Sequence, residues 1–420
     1  MSMLAVCVLV CATVATGFQL FQVAAALRFL RRARRVRGTG VLRPVTVLKP
    51  LKGLGIELYE NLASFCRQDY PSYQIVFGVE DPRDPAVAVV QRLRRDFPGH
   101  DIVLAVGTGR GTNRKVANLE HMMPHARHDV LVMSDSDIRV RPDYLRTMVG
   151  PLADPTVGLT TCLYRGRGHF GLPSLVESLF INTDFVPNAL VAQWVQPFRY
   201  AFGASIAVKR AALERIGGFA SFADYLADDY QLGRRVADAG HRLVLLPYVV
   251  ETILDSVTLR DVWRHQVRWA RTYRVCQPVG WFFSVVTHAT LWGLLAALAI
   301  GGSAGLTVLG AALGARIVSL AAIVRLLGEP GTPRYLALVP LKDLATSAVW
   351  LTAFLGRQVM WSGQVFRVRR DGRIVPVGVV DTEAPVFADD SADLRAEREG
   401  TRPVGAHGRA GLPSTALAEE

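Results

Sequence analysis

From Leu4 to Leu27 the chain carries no charged side chain. Inside a bilayer such a stretch satisfies its backbone groups as a helix. At ~1.5 Å per residue it is long enough to cross a hydrocarbon core of ~30 Å. Arg28, Arg31, Arg32, Arg34, Arg35 and Arg37 follow it directly. A cleaved export signal has its charges before the apolar stretch and a small-residue cleavage site after it, and here that order is reversed. The pattern predicts an uncleaved anchor whose C-terminal side faces the cytoplasm, because clustered arginines resist translocation.

Behind the anchor the character changes to alternating short apolar runs and amphipathic stretches. Val45 to Leu48, Tyr73 to Val79 and Ile102 to Val106 read as strands, and Glu57 to Gln68 and Ala86 to Asp96 as helices. That alternation predicts βαβ units and a mainly parallel sheet. Val130 to Met133 adds a strand, and apolar runs at 157–162, 202–209 and 243–246 complete the sheet. Three acidic clusters are set into this pattern: Glu80-Asp81-Pro82-Arg83-Asp84, Asp135-Ser136-Asp137 and Asp228-Asp229. The first two leave strand C-terminal ends, where open α/β sheets bind their ligands.

After Trp269 apolar stretches return at 281–300, 306–327 and 335–355. The second contains Arg316 and the third Lys342 and Asp343. Each such charge costs roughly 2.5 to 3.5 kcal/mol at mid-membrane depth, so the third stretch is expected to be re-entrant or packed against neighbours. Four full crossings would put Arg367, Arg369 and Arg370 outside, and three leave them cytoplasmic if the N-terminus lies outside; the second arrangement is expected. The organisation expected is an anchor with basic flank over 1–38, a cytoplasmic domain over 39–275, membrane helices over 276–360, and over 361–420 a basic tail that becomes disordered beyond about Asp381, where large apolar residues are few.

The net charge of +12 does not point to nucleic acid, because the basic residues gather beside membrane segments and no nucleic-acid-binding motif with interleaved aromatics is present. Anionic lipid headgroups and a pyrophosphate are the expected partners. The 5 cysteines are odd in number and form no CxxC pair, which predicts a reducing compartment without structural disulfides.

Asp135-Ser136-Asp137 supplies hard oxygen ligands of the kind Mg²⁺ or Mn²⁺ prefers, in a strand-end loop with room for phosphate and water. His121 and His125 share the spacing of a metal pair, but Pro124 lies between them and no acidic partner is suitably placed, so no metal is expected there. Gly107-Thr108-Gly109-Arg110-Gly111 lacks the Lys-Ser/Thr of a phosphate-binding P-loop and reads as a flexible loop.

Taken in order, Val47-Leu48-Lys49-Pro50-Leu51-Lys52-Gly53, Gln68-Asp69-Tyr70-Pro71, Asp84-Pro85-Ala86, Asp135-Ser136-Asp137-Ile138-Arg139-Val140, Asp228-Asp229-Tyr230 and Arg268-Trp269 resemble glycosyltransferases of the ceramide glucosyltransferase type, including bacterial hopanoid-associated members. The likeness spans roughly Val45 to Trp269. It implies a GT-A type, Rossmann-like α/β domain with a mixed, mainly parallel sheet between N-terminal and C-terminal transmembrane helices. It further implies a metal-dependent, inverting transfer of a hexose or N-acetylhexosamine from a UDP-sugar to a hydroxyl of a membrane lipid.

In that resemblance Asp84, with Asp81 as a second contact, helps to hold the uridine nucleotide. Asp84 equally reads as a cap for the helix over 86–96, worth about 1 kcal/mol. Lys115 matches a stretch near the nucleotide, although an exposed basic loop has the same appearance. Asp135 serves donor and metal, Asp137 the metal, and Asp229 is the catalytic base; Asp228 beside it tends to raise its pKa. An acidic helix start gives the same pattern. Arg268 suits a diphosphate and Trp269 an acceptor wall. His265 stands where the family usually has Gln or Arg, which leaves its hydrogen-bonding role open. An interfacial helix anchored by Trp and Arg accounts for the same residues.

The segment from Gly171 to Trp194 is either an acceptor entrance facing the membrane or core. A processive polysaccharide synthase of the same fold and a non-catalytic membrane scaffold are the alternative readings. The Ala, Arg, Val and Gly bias points to a GC-rich bacterial genome. The expected location is therefore a bacterial inner membrane, with a hopanoid polyol or a sphingolipid as acceptor.

Overall fold

The computed structural model describes residues 2–33, 42–168, 171–254, 256–328 and 332–379. The N-terminal helix α1 (Met3–Ala33) leads to β1 (Val45–Pro50), α2 (Leu58–Cys66), β2 (Tyr73–Val79), α3 (Ala86–Asp96), β3 (Asp101–Val106), α4 (Arg114–Met122), β4 (Val130–Ser134), β5 (Ile138–Arg139) and α5 (Tyr144–Val149). Then come β6 (Val157–Arg167), α6 (Leu172–Phe180), a π-helical turn (Ile181–Phe185), α7 (Val186–Val195), β7 (Ser205–Lys209), α8 (Arg210–Arg215), α9 (Asp228–Asp238) and β8 (Arg242–Ile253). These strands form one sheet in the order β3-β2-β1-β4-β7-β6-β8-β5. The neighbours β3, β2, β1 and β4 run parallel, β6 and β8 are also parallel, and β7 and β5 enter antiparallel.

The mixed, mainly parallel sheet expected from the alternation is therefore present, and its strand sequences explain its two-sided burial. Successive strand residues point to opposite faces. Val45, Val47, Val130 and Val132 thus join one apolar cluster with α2, α3 and α5, while Leu48, Leu131 and Met133 join another with α4, α8 and α9. A parallel sheet covered on both faces needs apolar residues at both parities, which these runs supply. The two-residue strand β5 and helix α4 were not legible as elements. Lys115 accordingly stands in the first turn of a helix rather than in an exposed loop.

The long helix α10 (Leu259–Cys276) follows, then α11 (Pro278–Ser284), α12 (Ala289–Ile300), α13 (Gly302–Leu326) and α14 (Val339–Thr352). Met3–Arg32 and Gly302–Leu326 are long and apolar enough to cross a membrane, with mean hydropathy 2.2 and 2.0. The stretch expected at 281–300 is broken: the helical pieces Pro278–Thr287 and Ala289–Ile300 meet at 52°. The stretch at 335–355 is a 3₁₀ turn followed by the 14-residue α14, too short to span.

The charges inside these apolar helices answer one another. Arg316 reaches Asp343 Oδ2 at 3.0 Å and Asp184 Oδ1 at 2.6 Å, and Lys342 Nζ lies 2.6 Å from both Asp184 Oδ1 and Asp343 Oδ1. Gln19 of α1 accepts from Arg316 at 3.2 Å, and Thr346 donates to Asp184 at 2.8 Å. Two cations and two carboxylates thus pair off away from water, which buried charges require. Asp184 belongs to the π turn, so the network ties the segment over 171–194 to the apolar helices α1, α13 and α14. Most of that segment is core, with Leu179, Phe180, Val186 and Leu190 buried, while Leu172 is exposed.

Where a basic tail was expected from 361 onward, the chain forms a three-stranded antiparallel sheet of β9 (Gln358–Trp361), β10 (Gln364–Val368) and β11 (Ile374–Val379). Ser362 and Gly363 make the two-residue β9–β10 turn with φ of 51° and 80°, a combination that suits the glycine. This sheet docks onto the main domain: Ile374 N donates to Asp224 O at 2.8 Å, Leu226 N to Gly372 O at 3.1 Å, and Arg271 of α10 donates to the carbonyl of Gln358 at the start of β9. Arg34, Arg35 and Arg37, and the chain beyond Asp381, lie outside the described residues.

Candidate functional site

The end of β4 and the first turns of α4 and α9 bring three sequence-distant groups together. Lys115 Nζ lies 2.6 Å from Asp135 Oδ1 and 3.5 Å from Asp228 Oδ2. Burial alone would lower its pKa, but the Asp135 and Asp228 carboxylates outweigh burial and hold the ammonium well above its ordinary value. Lys49, at the end of β1, is fully buried and donates to the backbone carbonyl of Asp135 at 2.5 Å, with its ammonium 3.8 Å from the Phe65 ring centroid. Burial pulls its pKa down to about 7 against the opposing pull of Asp137 and Asp135.

Asp137 accepts from Thr252 Oγ1 of β8 at 2.5 Å. Burial first, and the Asp135 charge second, push its carboxyl up to about 6. Among the described residues no group of three or more His, Cys, Asp or Glu side chains could enclose a metal ion. Asp135 and Asp137 nevertheless fit a hard divalent cation of the Mg²⁺ or Mn²⁺ kind. Such ions bind through one or two carboxylates and complete their shell with phosphate oxygens and water. A cation would also relieve the like-charge strain that raises Asp137. His121 and His125 only stack edge to face, 6.2 Å apart.

Asp229, at the start of α9, is fixed by two backbone donors, Gly203 N to Oδ2 and Tyr230 N to Oδ1, both at 2.7 Å. Burial first and Asp228 second push it up to about 6, so near neutral pH it is an ionised carboxylate with appreciable basicity. Burial first, then the nearby charges of Tyr273, Asp229, Asp135 and Asp137, hold the pKa of Tyr164 on β6 well above its ordinary value. Its ring stacks on Phe185 at 4.3 Å and meets Trp269 edge-on at 6.4 Å.

The Arg268-Trp269 pair lies on α10, opened by a reciprocal cap between Thr258 and Asp261. Arg268 makes no side-chain hydrogen bond or ion pair among the described residues; burial lowers its pKa against the pull of Glu177, Tyr164 and Asp228. Its unused donors are available to an anion. His265 is engaged with a carboxylate. Its Nδ1 contacts Oε1 of Glu177, a buried carboxylate that Ser256 also reaches, and its ring packs 4.5 Å from Trp269. Burial would raise the Glu177 pKa, but the contact with His265 holds it below its ordinary value.

Asp81 and Asp84 stand apart from this cluster at the end of β2. Asp84 accepts from Gly53 N at 2.9 Å and from Ala86 N at 2.8 Å, so it joins the loop after β1 to the start of α3. Asp81 is bound to Arg83 at 3.2 Å on the surface, a pairing that lowers its pKa. Lys49, Tyr164 and Glu177 were not identifiable as site residues from sequence. Lys49 lay inside a recognised motif without a role, and Tyr164 and Glu177 carry no local pattern.

The family model described as glycosyl transferase family 21 matches residues 5–374. Ceramide glucosyltransferase 3 of Caenorhabditis elegans is 24% identical over 355 residues, which cover 82% of this chain and 77% of that protein. The ceramide glucosyltransferase of Gibberella zeae is 34% identical over 151 residues, 33% of this chain and 28% of that protein. Among solved structures, a mannosyltransferase from Pyrobaculum calidifontis in complex with GDP-Man and Mn²⁺ is 23% identical, with a TM-score of 0.48 over 82% of this chain and 98% of that one.

Proposed function

Because the chain belongs to glycosyl transferase family 21, we propose that it moves one hexose or N-acetylhexosamine from a UDP-sugar to a hydroxyl of a membrane lipid, with inversion at the sugar carbon. The observation that carries this reading is the bridge of Lys115 between Asp135 and Asp228. It brings the Asp135 carboxylate and the helix start bearing Asp229 together.

In this reading Asp229 accepts the proton of the acceptor hydroxyl. The freed oxygen attacks the anomeric carbon as the bond from that carbon to the UDP phosphate oxygen breaks, and no covalent enzyme intermediate forms. Asp135 and Asp137 would hold Mg²⁺ or Mn²⁺, which when bound supplies positive charge to the departing diphosphate. Arg268 and Lys115 add cations of the protein's own, Tyr164 and Trp269 wall the acceptor, and Asp84 with Asp81 faces the nucleoside side. His265 acts behind Trp269 through Glu177.

The curated relatives named ceramide glucosyltransferases support glucose as donor sugar and a ceramide-like lipid as acceptor, and a hopanoid polyol offers the same hydroxyl chemistry. The arginines after α1 support a catalytic domain over 39–275 on the cytoplasmic side of a bacterial inner membrane. Purified protein in lipid nanodiscs, given UDP-glucose or UDP-N-acetylglucosamine with ceramide or a hopanoid polyol, should release UDP and yield a glycolipid one sugar heavier by mass spectrometry. Absence of product with every donor and acceptor pair would overturn the reading. A cysteine placed at Lys52 should react with an impermeant label only from the cytoplasmic face, and labelling from outside would overturn the topology.

A further inference from the structure

A buried asparagine ties together the two helix starts that meet in the site. Asn113 stands immediately before α4 and is fully buried. Its Oδ1 accepts from Val116 N at 3.2 Å and so caps the helix whose second residue is Lys115. Its two donors reach a distant segment instead: the backbone N–H donates to Ala223 O at 2.7 Å and Nδ2 to Tyr225 O at 2.8 Å. Thr112 adds two more bonds, from N and from Oγ1 to Asp224 Oδ1, both at 2.9 Å. A Cβ placed on Gly111 would stand 2.5 Å from Ala223 Cβ, so the loop before Asn113 and this segment meet with no room to spare. The opposite edge of the segment is taken by the C-terminal sheet, through Ile374 N to Asp224 O and Leu226 N to Gly372 O. From Leu226 the chain runs through Ala227 directly into Asp228 and Asp229.

Resting on the proposed sugar transfer, we infer that Asn113 is a positioning residue for it: the amide nitrogen fixes the segment over 223–226 against the start of α4, and thereby sets where Asp228 and Asp229 stand relative to Lys115. Lys115 follows Asn113, and Asp228 follows Tyr225, by only a few residues. The bond between Asn113 and Tyr225 therefore holds both ends of the 3.5 Å contact between Lys115 Nζ and Asp228 Oδ2. An N-cap needs only an acceptor oxygen, which serine supplies about as well as asparagine. The amide nitrogen is the part that the cap does not use, and it is aimed 112 residues along the chain. Because the C-terminal sheet holds the far edge of the segment, loss of that one donor loosens its register with α4 without releasing it from the fold.

Asn113→Ser separates the two roles, because it keeps the cap and loses the reach to Tyr225. With the full purified chain in detergent, Mn²⁺ and a UDP-sugar, kcat should fall about fivefold, the scale of one lost hydrogen bond of ordinary strength, while the donor KM stays within about twofold. Amide hydrogen exchange needs no turnover. It should quicken about fivefold in the variant across 223–230 and stay within about twofold across 116–122, where the capped helix is untouched. Wild-type kcat and wild-type exchange across 223–230 overturn the inference and leave Asn113 a cap alone, and quickened exchange in α4 to the same extent overturns it as well. Should Asn113→Ser not fold, Thr112→Val removes one bond to the same segment and should quicken exchange across 223–230 in the same selective way; unchanged exchange there overturns the inference. If the wild type transfers no sugar, the proposed function fails, and the exchange pattern still decides whether Asn113 holds the two helix starts together.

Discussion

A Cβ placed on Gly203 would stand 3.2 Å from Asp229 Oδ2, the same oxygen that the Gly203 N–H holds at 2.7 Å. The backbone at 203 therefore sets both the anchor and the clearance of the candidate base. Gly203→Ala should lower kcat roughly tenfold, because small displacements of a reacting group are costly. Nucleotide binding should stay within about twofold. An unchanged kcat would show that Asp229 tolerates the shift or takes no part in the proton transfer.

Asp229→Asn keeps shape and loses basicity, so it should bind UDP and transfer no sugar. Its carboxyl, at about 6 in the folded chain, lies above the ~3.9 of a free aspartate. The folded state thus binds that proton more tightly than the unfolded one. Stability falls as pH rises from about 4 to about 6, and the cost persists at pH 7.5. The asparagine variant is relieved of that cost, about 3 kcal/mol at most, but its amide nitrogen faces one of the two backbone N–H donors from which the carboxylate accepts, so its melting temperature at pH 7.5 should gain less than the full amount. Wild-type turnover should rise with pH through about 6. Calorimetry together with a pH profile of UDP release checks both halves.

Asp137→Ala removes one of the two carboxylates that suit a cation, and with it a buried like charge. The variant should remain folded, lose Mn²⁺-stimulated UDP release, and bind Mn²⁺ more weakly by isothermal titration. Full wild-type activity in the presence of excess EDTA would exclude the metal role.

The parts of this site that sequence revealed are those attached to regular periodicity. Asp135 and Asp137 follow a strand whose apolar run is unmistakable, and Asp229 opens a helix. The assembly was not legible, because Lys115 stands in a helix too short and too polar to declare itself, and its bridge to Asp228 joins residues far apart in the chain. The C-terminal sheet was hidden for a related reason. Arg367, Arg369 and Arg370 dominate the composition, while the apolar positions that dock it, Val359, Phe366, Val368 and Ile374, are few and spread over three short strands.

His265→Ala should leave the Glu177 carboxylate, whose side chain is 2% exposed, with Ser256 as its remaining direct contact. A lost partner of a buried polar group costs about 1 to 3 kcal/mol. His265→Gln can still meet Glu177 and should lose less than half of that. Urea denaturation in detergent reads the difference, and equal stability of the alanine variant and wild type would mean that the contact contributes nothing.

Arg316→Ala removes one cation from a largely buried charge set. Removing one member of a buried pair costs about 3 to 5 kcal/mol. The variant should lose both thermal stability in detergent and sugar transfer, since Asp184 is followed directly by Phe185, which stacks on Tyr164. Arg316→Ala combined with Asp343→Ala should recover part of the stability. No difference between the single and double variants would mean that the two residues do not couple.

The same four charges impose an order on biosynthesis. Asp184 is made long before Arg316 and Lys342, so the nascent catalytic domain carries a carboxylate whose partners are still to be synthesised. Until α13 and α14 have been made, that carboxylate must stay hydrated or protonated, and the turn bearing it cannot close against them. The aromatic wall of the site is then completed last. A ribosome-bound chain stopped before Gly302 should accordingly be susceptible to proteolysis near Asp184, and it should become resistant once α13 and α14 have been added.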